Sequence, residues 1–131
     1  MSVPARHPSA QLTAVRVAAQ AGADRVVFEF RDQVPGYRVS YASGPVMNTE
    51  GREVPVAGQA RLVVHLEAAT GAGTYTGPAR LAAQGTTEVL ELARVEDFEA
   101  VLTWVVGLKG QAPFRVTTLS SPPRLVIDVG G

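Results

Sequence analysis

Glycine and proline set the scale of what this chain can build. Thirteen Gly and nine Pro among 131 residues cut it into short segments. Proline breaks a helix interior, and glycine favours turns. That spacing suits strands and turns better than long helices. Within the segments, apolar residues recur at every second position, the period of a strand with one buried face.

The clearest strand covers Asp24 to Arg31, with Val26, Phe28 and Phe30 on one face and Arg25, Val27, Glu29 and Arg31 on the other. Before it, Leu12 to Val17 reads as a strand with Thr13, Val15 and Val17 on one side; the Ala18–Gly22 stretch fits either more strand or a helical turn. Pro35-Gly36 suits a type II turn and leads into a third strand, with Tyr37, Val39 and Tyr41 alternating with Arg38 and Ser40. Residues 43–58 read as loop with a short strand near Glu53 to Val56. Ala60 to Glu67 alternates with Leu62, Val64 and Leu66 inward. Residues 68–86 form the longest irregular stretch, with one helical turn expected over Ala79 to Ala83. Glu88 to Val95 and Ala100 to Leu108 are strands joined at Glu96-Asp97, and Trp104 lies in the more apolar of the two. It reads as core, with ligand contact as the alternative. Phe114, Val116 and Thr118 mark another strand. Ser120-Ser121-Pro122-Pro123 breaks it, and Arg124 to Val129 closes the chain.

Seven to nine short strands with regular turn signals predict an all-β fold: an antiparallel β-sandwich with little helix. Residues 1–10 are expected to be a flexible tail, and residues 11–131 a single domain. Hydrophobic residues make up 46%, enough for a core. Lys+Arg and Asp+Glu are both 12, so the basic excess that nucleic acid or an anionic membrane requires is missing. No stretch reaches the roughly 18 apolar residues of a membrane-spanning helix, and the start lacks a secretory signal's apolar run. The domain is therefore expected either in the cytoplasm or as the mature part of an exported protein. Cysteine is absent, which removes disulfides, thiolate metal sites and thiol catalysis.

Signals for chemistry are weak. His7 and His65 lie far apart and lack metal-ligand spacing. Glu96-Asp97 with Glu99 is the densest acidic cluster, but it reads as a turn. Gly71-Ala72-Gly73-Thr74-Tyr75-Thr76-Gly77 lacks the Lys-Ser/Thr of a phosphate loop. No metal and no cofactor is expected. The arginines are more informative. Arg25 and Glu29 share a strand face four residues apart, as do Arg124 and Asp128. Such residues stand about 13 Å apart along a strand, too far to pair with each other. They must pair across strands or face solvent. An arginine-lined surface with aromatics nearby would instead grip carboxylates and sugars, because the guanidinium fork matches a carboxylate and flat rings stack on sugar faces.

Asp24-Arg25-Val26-Val27-Phe28-Glu29-Phe30, followed by Tyr37-Arg38-Val39, resembles the first half of an AMIN domain. The end, Phe114-Arg115-Val116-Thr117-Thr118-Leu119-Ser120-Ser121-Pro122-Pro123-Arg124-Leu125-Val126-Ile127-Asp128-Val129, resembles that family's closing signature: a strand, a Pro-Pro-Arg turn, then an apolar strand ending in Asp. The whole chain is most similar to the AMIN-like group of actinobacterial envelope proteins and lipoproteins. Asp97-Phe98-Glu99 and Val105-Val106-Gly107-Leu108 also fit.

The resemblance implies a small β-sandwich that binds or targets, without catalytic residues, outside the cytoplasm. The expected ligand is peptidoglycan or another cell-wall polymer; a partner protein of an envelope complex is the alternative. Arg25, Arg38, Arg115 and Arg124 are the expected contacts to acidic stem-peptide groups, and Tyr37 and Tyr41 those to glycan faces.

Overall fold

A computed structural model describes residues 2–3 and 9–130. Among the described residues there are eleven strands and no helix: β1 (Ser2–Val3), β2 (Ala10–Gln20), β3 (Ala23–Phe30), β4 (Gly36–Tyr41), β5 (Ala60–Glu67), β6 (Ala69–Thr70), β7 (Arg80–Ala82), β8 (Val89–Phe98), β9 (Val101–Leu108), β10 (Phe114–Ser120) and β11 (Pro123–Val129). They form two sheets, ordered β1-β4-β5-β9-β8-β7 and β10-β11-β3-β2-β6. Every pairing is antiparallel except that of β2 with the two-residue β6. The fold is the expected sandwich. The closing strand β11 lies between β10 and β3, so the two ends of the domain share one sheet.

Alternation places the core. Val26, Phe28 and Phe30 from β3, Leu62, Val64 and Leu66 from β5, Leu102, Trp104, Val106 and Leu108 from β9, and Leu125, Ile127 and Val129 from β11 meet between the sheets. The core-facing side of each strand excludes water, which is the dominant favourable term in folding. Trp104 is fully buried. Its ring stands edge-to-face against Phe28 at 6.0 Å and Tyr75 at 5.8 Å. The core reading of Trp104 is the one the fold adopts.

In β2 the pairing register shifts between Leu12 and Ala14. The inward set becomes Ala10, Leu12 and Val15 with Val17 packed against them, and Thr13 instead donates its hydroxyl hydrogen to Glu29 O. The expected Thr13–Val15–Val17 face is corrected because a bulge inserts one residue and resets which side faces the core. The strand runs on to Gln20, so the Ala18–Gly22 stretch resolves as strand and turn. The helical turn expected over Ala79 to Ala83 is a short strand, β7, paired to β8. The join expected at Glu96-Asp97 lies further on, at Glu99 and Ala100, both with positive φ.

The expected tail falls mostly outside the described residues. Of its described part, Ser2–Val3 pairs with β4, and Ala10 is fully buried at the start of β2.

Two carboxylates tie loops to the sandwich. Asp24, 2% exposed, accepts hydrogen bonds from the backbone N–H groups of Thr87, Glu88 and Val89, joining β3 of one sheet to the entry of β8 in the other. Asp97 accepts from the Thr70 hydroxyl at 2.9 Å and from Gly71 N–H at 2.8 Å. On the outer face of the six-stranded sheet, the segment 42–58 folds across as a strap. Its Val46, Val54 and Val56 pack against Val63, Ala93, Val95 and Val105, giving that sheet a second apolar layer.

Candidate functional site

The outer face of the five-stranded sheet gathers most of the arginines singled out by sequence. Cross-strand register sets three rows: Arg115, Asp128, Arg25 and Ala18; then Thr117, Val126, Val27 and Arg16; then Leu119, Arg124, Glu29 and Ala14. The middle row is apolar at its centre. Val126 is buried although it faces outward, between Thr117 and Val27 of the neighbouring strands.

The charges on this face are unequally paired. Arg25 grips Asp128 with two hydrogen bonds, Nε to Oδ1 at 2.8 Å and a terminal nitrogen to Oδ2 at 3.1 Å. Hydrogen bonding to Asp128, reinforced by its charge, raises the Arg25 pKa above its ordinary value. Arg16 holds Glu29 at 2.8 Å. The cross-strand pairing read from sequence is therefore realised for Arg25 with Asp128. Arg124, though in register with Glu29, turns its guanidinium back to Pro122 O at 3.0 Å, a contact that leaves its charge uncompensated. Arg115 is exposed, and its side chain has no ion pair or hydrogen bond among the described residues. It lines a concavity of about 650 Å³ together with Gln20, Gly22, Arg25, Phe114 and Asp128. Four arginines against two carboxylates make this face positive on a chain whose formal net charge is zero.

The other expected contacts lie elsewhere. Arg38 sits on the outer face of the six-stranded sheet, in register with His65 of β5, and is separated from Arg25, Arg115 and Arg124 by the thickness of the sandwich. Tyr37 is 6% exposed and part of the core. Tyr41 is half-buried against Phe114; its hydroxyl donates to Ala112 O at 2.5 Å and accepts from Ala112 N–H at 2.9 Å. Tyr37 reaches the surface only at the edge of a groove beside β10. The two tyrosines are not brought together with the arginines, and the reason is phase: on β4 the arginine and the tyrosines alternate, so exposing Arg38 turns Tyr37 and Tyr41 inward.

The acidic cluster disperses. Glu96 accepts from Thr49 N–H of the strap at 2.8 Å, and Asp97 is held by Thr70 and Gly71. No three metal-ligating side chains come together among the described residues. His65 lies 3.4 Å from the Thr103 hydroxyl and 3.8 Å from Glu67. The glycine-rich loop closes on itself: Thr74 and Tyr75 donate their N–H groups to Gly71 O, and the Thr74 hydroxyl binds Leu12 O. The N–H groups of Gly71, Ala72, Thr74 and Tyr75 are all spent on protein acceptors.

Sequence reasoning missed two residues. Arg16 completes the positive face, but the bulge in β2 conceals its phase. Asp24 reads as a turn residue beside Gly22, yet its carboxylate serves a segment more than 60 positions away.

Fold and site together define a β-sandwich module with one positively charged sheet face. The chain belongs to the AMIN-like domain family, whose model matches residues 10–131. Membership associates it with cell-wall-related binding. No curated protein and no solved structure matches the chain.

Proposed function

We propose that this domain is a non-catalytic module that works outside the cytoplasm and binds peptidoglycan, gripping stem-peptide carboxylates with the outer face of its five-stranded sheet. The observation that carries this reading is the pair of uncompensated guanidinium groups on one exposed face: Arg115 in the row of the Arg25–Asp128 pair, and Arg124 in the row of Glu29 further along the strands. An arginine fork binds a carboxylate through two parallel hydrogen bonds, and a flat face carrying several suits a ligand that repeats the same acid group. A binding role without chemistry is supported by the carboxylates themselves. Asp24, Glu96 and Asp97 each hold the backbone of a different loop, so none is paired with another as an acid and a base would be.

Retention on purified sacculi tests the assignment. Each exposed arginine–carboxylate contact is worth about 1 kcal/mol, so Arg115→Ala/Arg124→Ala is expected to lower retention by at least about tenfold. Arg38→Ala is expected to leave it unchanged. Equal retention of the double variant and wild type overturns the surface.

A further inference from the structure

Of the four strands that end the two sheets, three are short: β1 and β6 have two residues each, and β7 has three; β2, which β6 covers only at Ala10 and Gln11, is interrupted by its bulge between Leu12 and Ala14. The fourth, β10, runs seven residues in unbroken register with β11. Among the described residues it pairs on that side only. Its sequence, Phe-Arg-Val-Thr-Thr-Leu-Ser, contains no proline, no lysine and no bulge, the usual means of blunting an edge.

Which backbone groups stay free follows from the ladder. Gly130 N–H bonds to Pro113 O, which makes that a hydrogen-bonded pair. Antiparallel pairs alternate, so Arg115, Thr117 and Leu119 turn their N–H and C=O groups toward β11. Phe114, Val116, Thr118 and Ser120 turn theirs outward.

We infer that β10 pairs with β10 of a second copy of this chain, antiparallel and centred on Thr117. That register uses the whole strand. Val116 exchanges hydrogen bonds with Thr118 of the other copy, Phe114 does so with Ser120, and Thr117 meets its own counterpart, a favourable cross-strand pair. Arg115 falls opposite Leu119, which is 41% exposed, so no like charges oppose each other. The Phe114 ring comes to the mouth of a groove of about 620 Å³ beside β10, lined by Val34, Pro35 and Leu119 among others.

The dyad of an antiparallel pair is perpendicular to the sheet. Both copies therefore present Arg25, Arg115 and Arg124 on the same side of one continuous sheet. This consequence rests on the proposed polymer-binding face: a repeating ligand would engage two copies at once and gain avidity without any new contact.

Sedimentation of the full chain across micromolar to millimolar concentration tests the dimer without any polymer. The expected result is a concentration-dependent shift from one to two chain masses. Thr118→Pro removes an outward N–H while sparing the β11 ladder, a position where an edge strand tolerates proline. Thr117→Lys leaves the backbone untouched and sets two ammonium groups face to face at the dyad. Both variants are expected to sediment as monomers, with unchanged circular dichroism for Thr117→Lys. On sacculi, Thr117→Lys is expected to be retained less than wild type, whereas Arg115→Ala/Arg124→Ala stays dimeric and shows a fall in retention of at least about tenfold. A wild type that remains monomeric throughout overturns the second copy as occupant and leaves the edge to a strand of another protein; it does not touch the sacculus result. A dimer that survives both β10 variants overturns the inferred seam.

Discussion

Tyr75 shows how one residue can serve the core and still sense solvent. Its ring packs edge-to-face on Trp104, and its hydroxyl donates to Pro78 O at 2.7 Å. Burial raises its pKa above 10.0, opposed in part by the positive charge of Arg94. The neutral phenol is thus favoured in the folded state. Its contribution is fully present below pH 10 and is lost as pH rises from there through the folded-state pKa. Thermal unfolding between pH 8 and pH 11 is expected to show a fall in Tm that starts near pH 10, and Tyr75→Phe should flatten part of that fall. A variant whose alkaline profile superimposes on wild type would exclude this residue as the source. The same scale explains why sequence alone does not place Tyr37 and Tyr41. Composition cannot tell an aromatic that stacks on a ligand from one that fills a core. On β4 only the observed phase, with Arg38 outward, decides it.

Among the elements, the strap over residues 42–58 depends on a strand that is bare where the strap crosses it. A Cβ on Gly107 would lie 2.1 Å from Ala57 O and 3.1 Å from Val56 Cβ, so no side chain fits beneath the crossing. The strap is fastened beside it by Ala57 N–H donating to Glu91 at 2.9 Å. Gly107→Ala is expected to lift the strap from the sheet and to destabilise the domain by about 1–3 kcal/mol, the usual cost of overpacking. Hydrogen–deuterium exchange checks it: amides of residues 46–58 should exchange faster while those of β3 and β11 keep their protection. Uniform acceleration across the domain would point to global loss instead. Sequence showed a glycine- and proline-rich loop here, and the bridge between Met47 and Glu53 is the short strand expected nearby, shifted and reduced. The packing of that loop on a sheet face was not legible. Val46, Val54 and Val56 are scattered apolar residues with no period, and only the valines on the sheet beneath give them a surface to cover.

For the whole molecule, Asp24 and the β3–β11 pairing bind distant parts of the chain. Asp24 stitches one sheet to the other through three backbone amides. Asp24→Ala leaves the Val89 N–H buried and unsatisfied and takes the acceptor from Thr87 and Glu88, and is expected to cost about 3 kcal/mol; a urea denaturation midpoint within error of wild type would refute the stitch. What the sequence determined by itself was local. Alternation sorted Val26, Phe28, Phe30, Leu62, Val64 and Leu66 to the inside, and glycine and proline marked where strands end, because side-chain direction and turn geometry depend on neighbours along the chain. Which face each arginine joined was decided only by tertiary structure. A period of two says that Arg25 and Arg38 both point away from a core, but not that they leave it on opposite sides. That follows from the pairing of β3 with β11 and of β4 with β5, contacts between residues far apart in sequence, fixed by the burial of both sheets' apolar faces against one another.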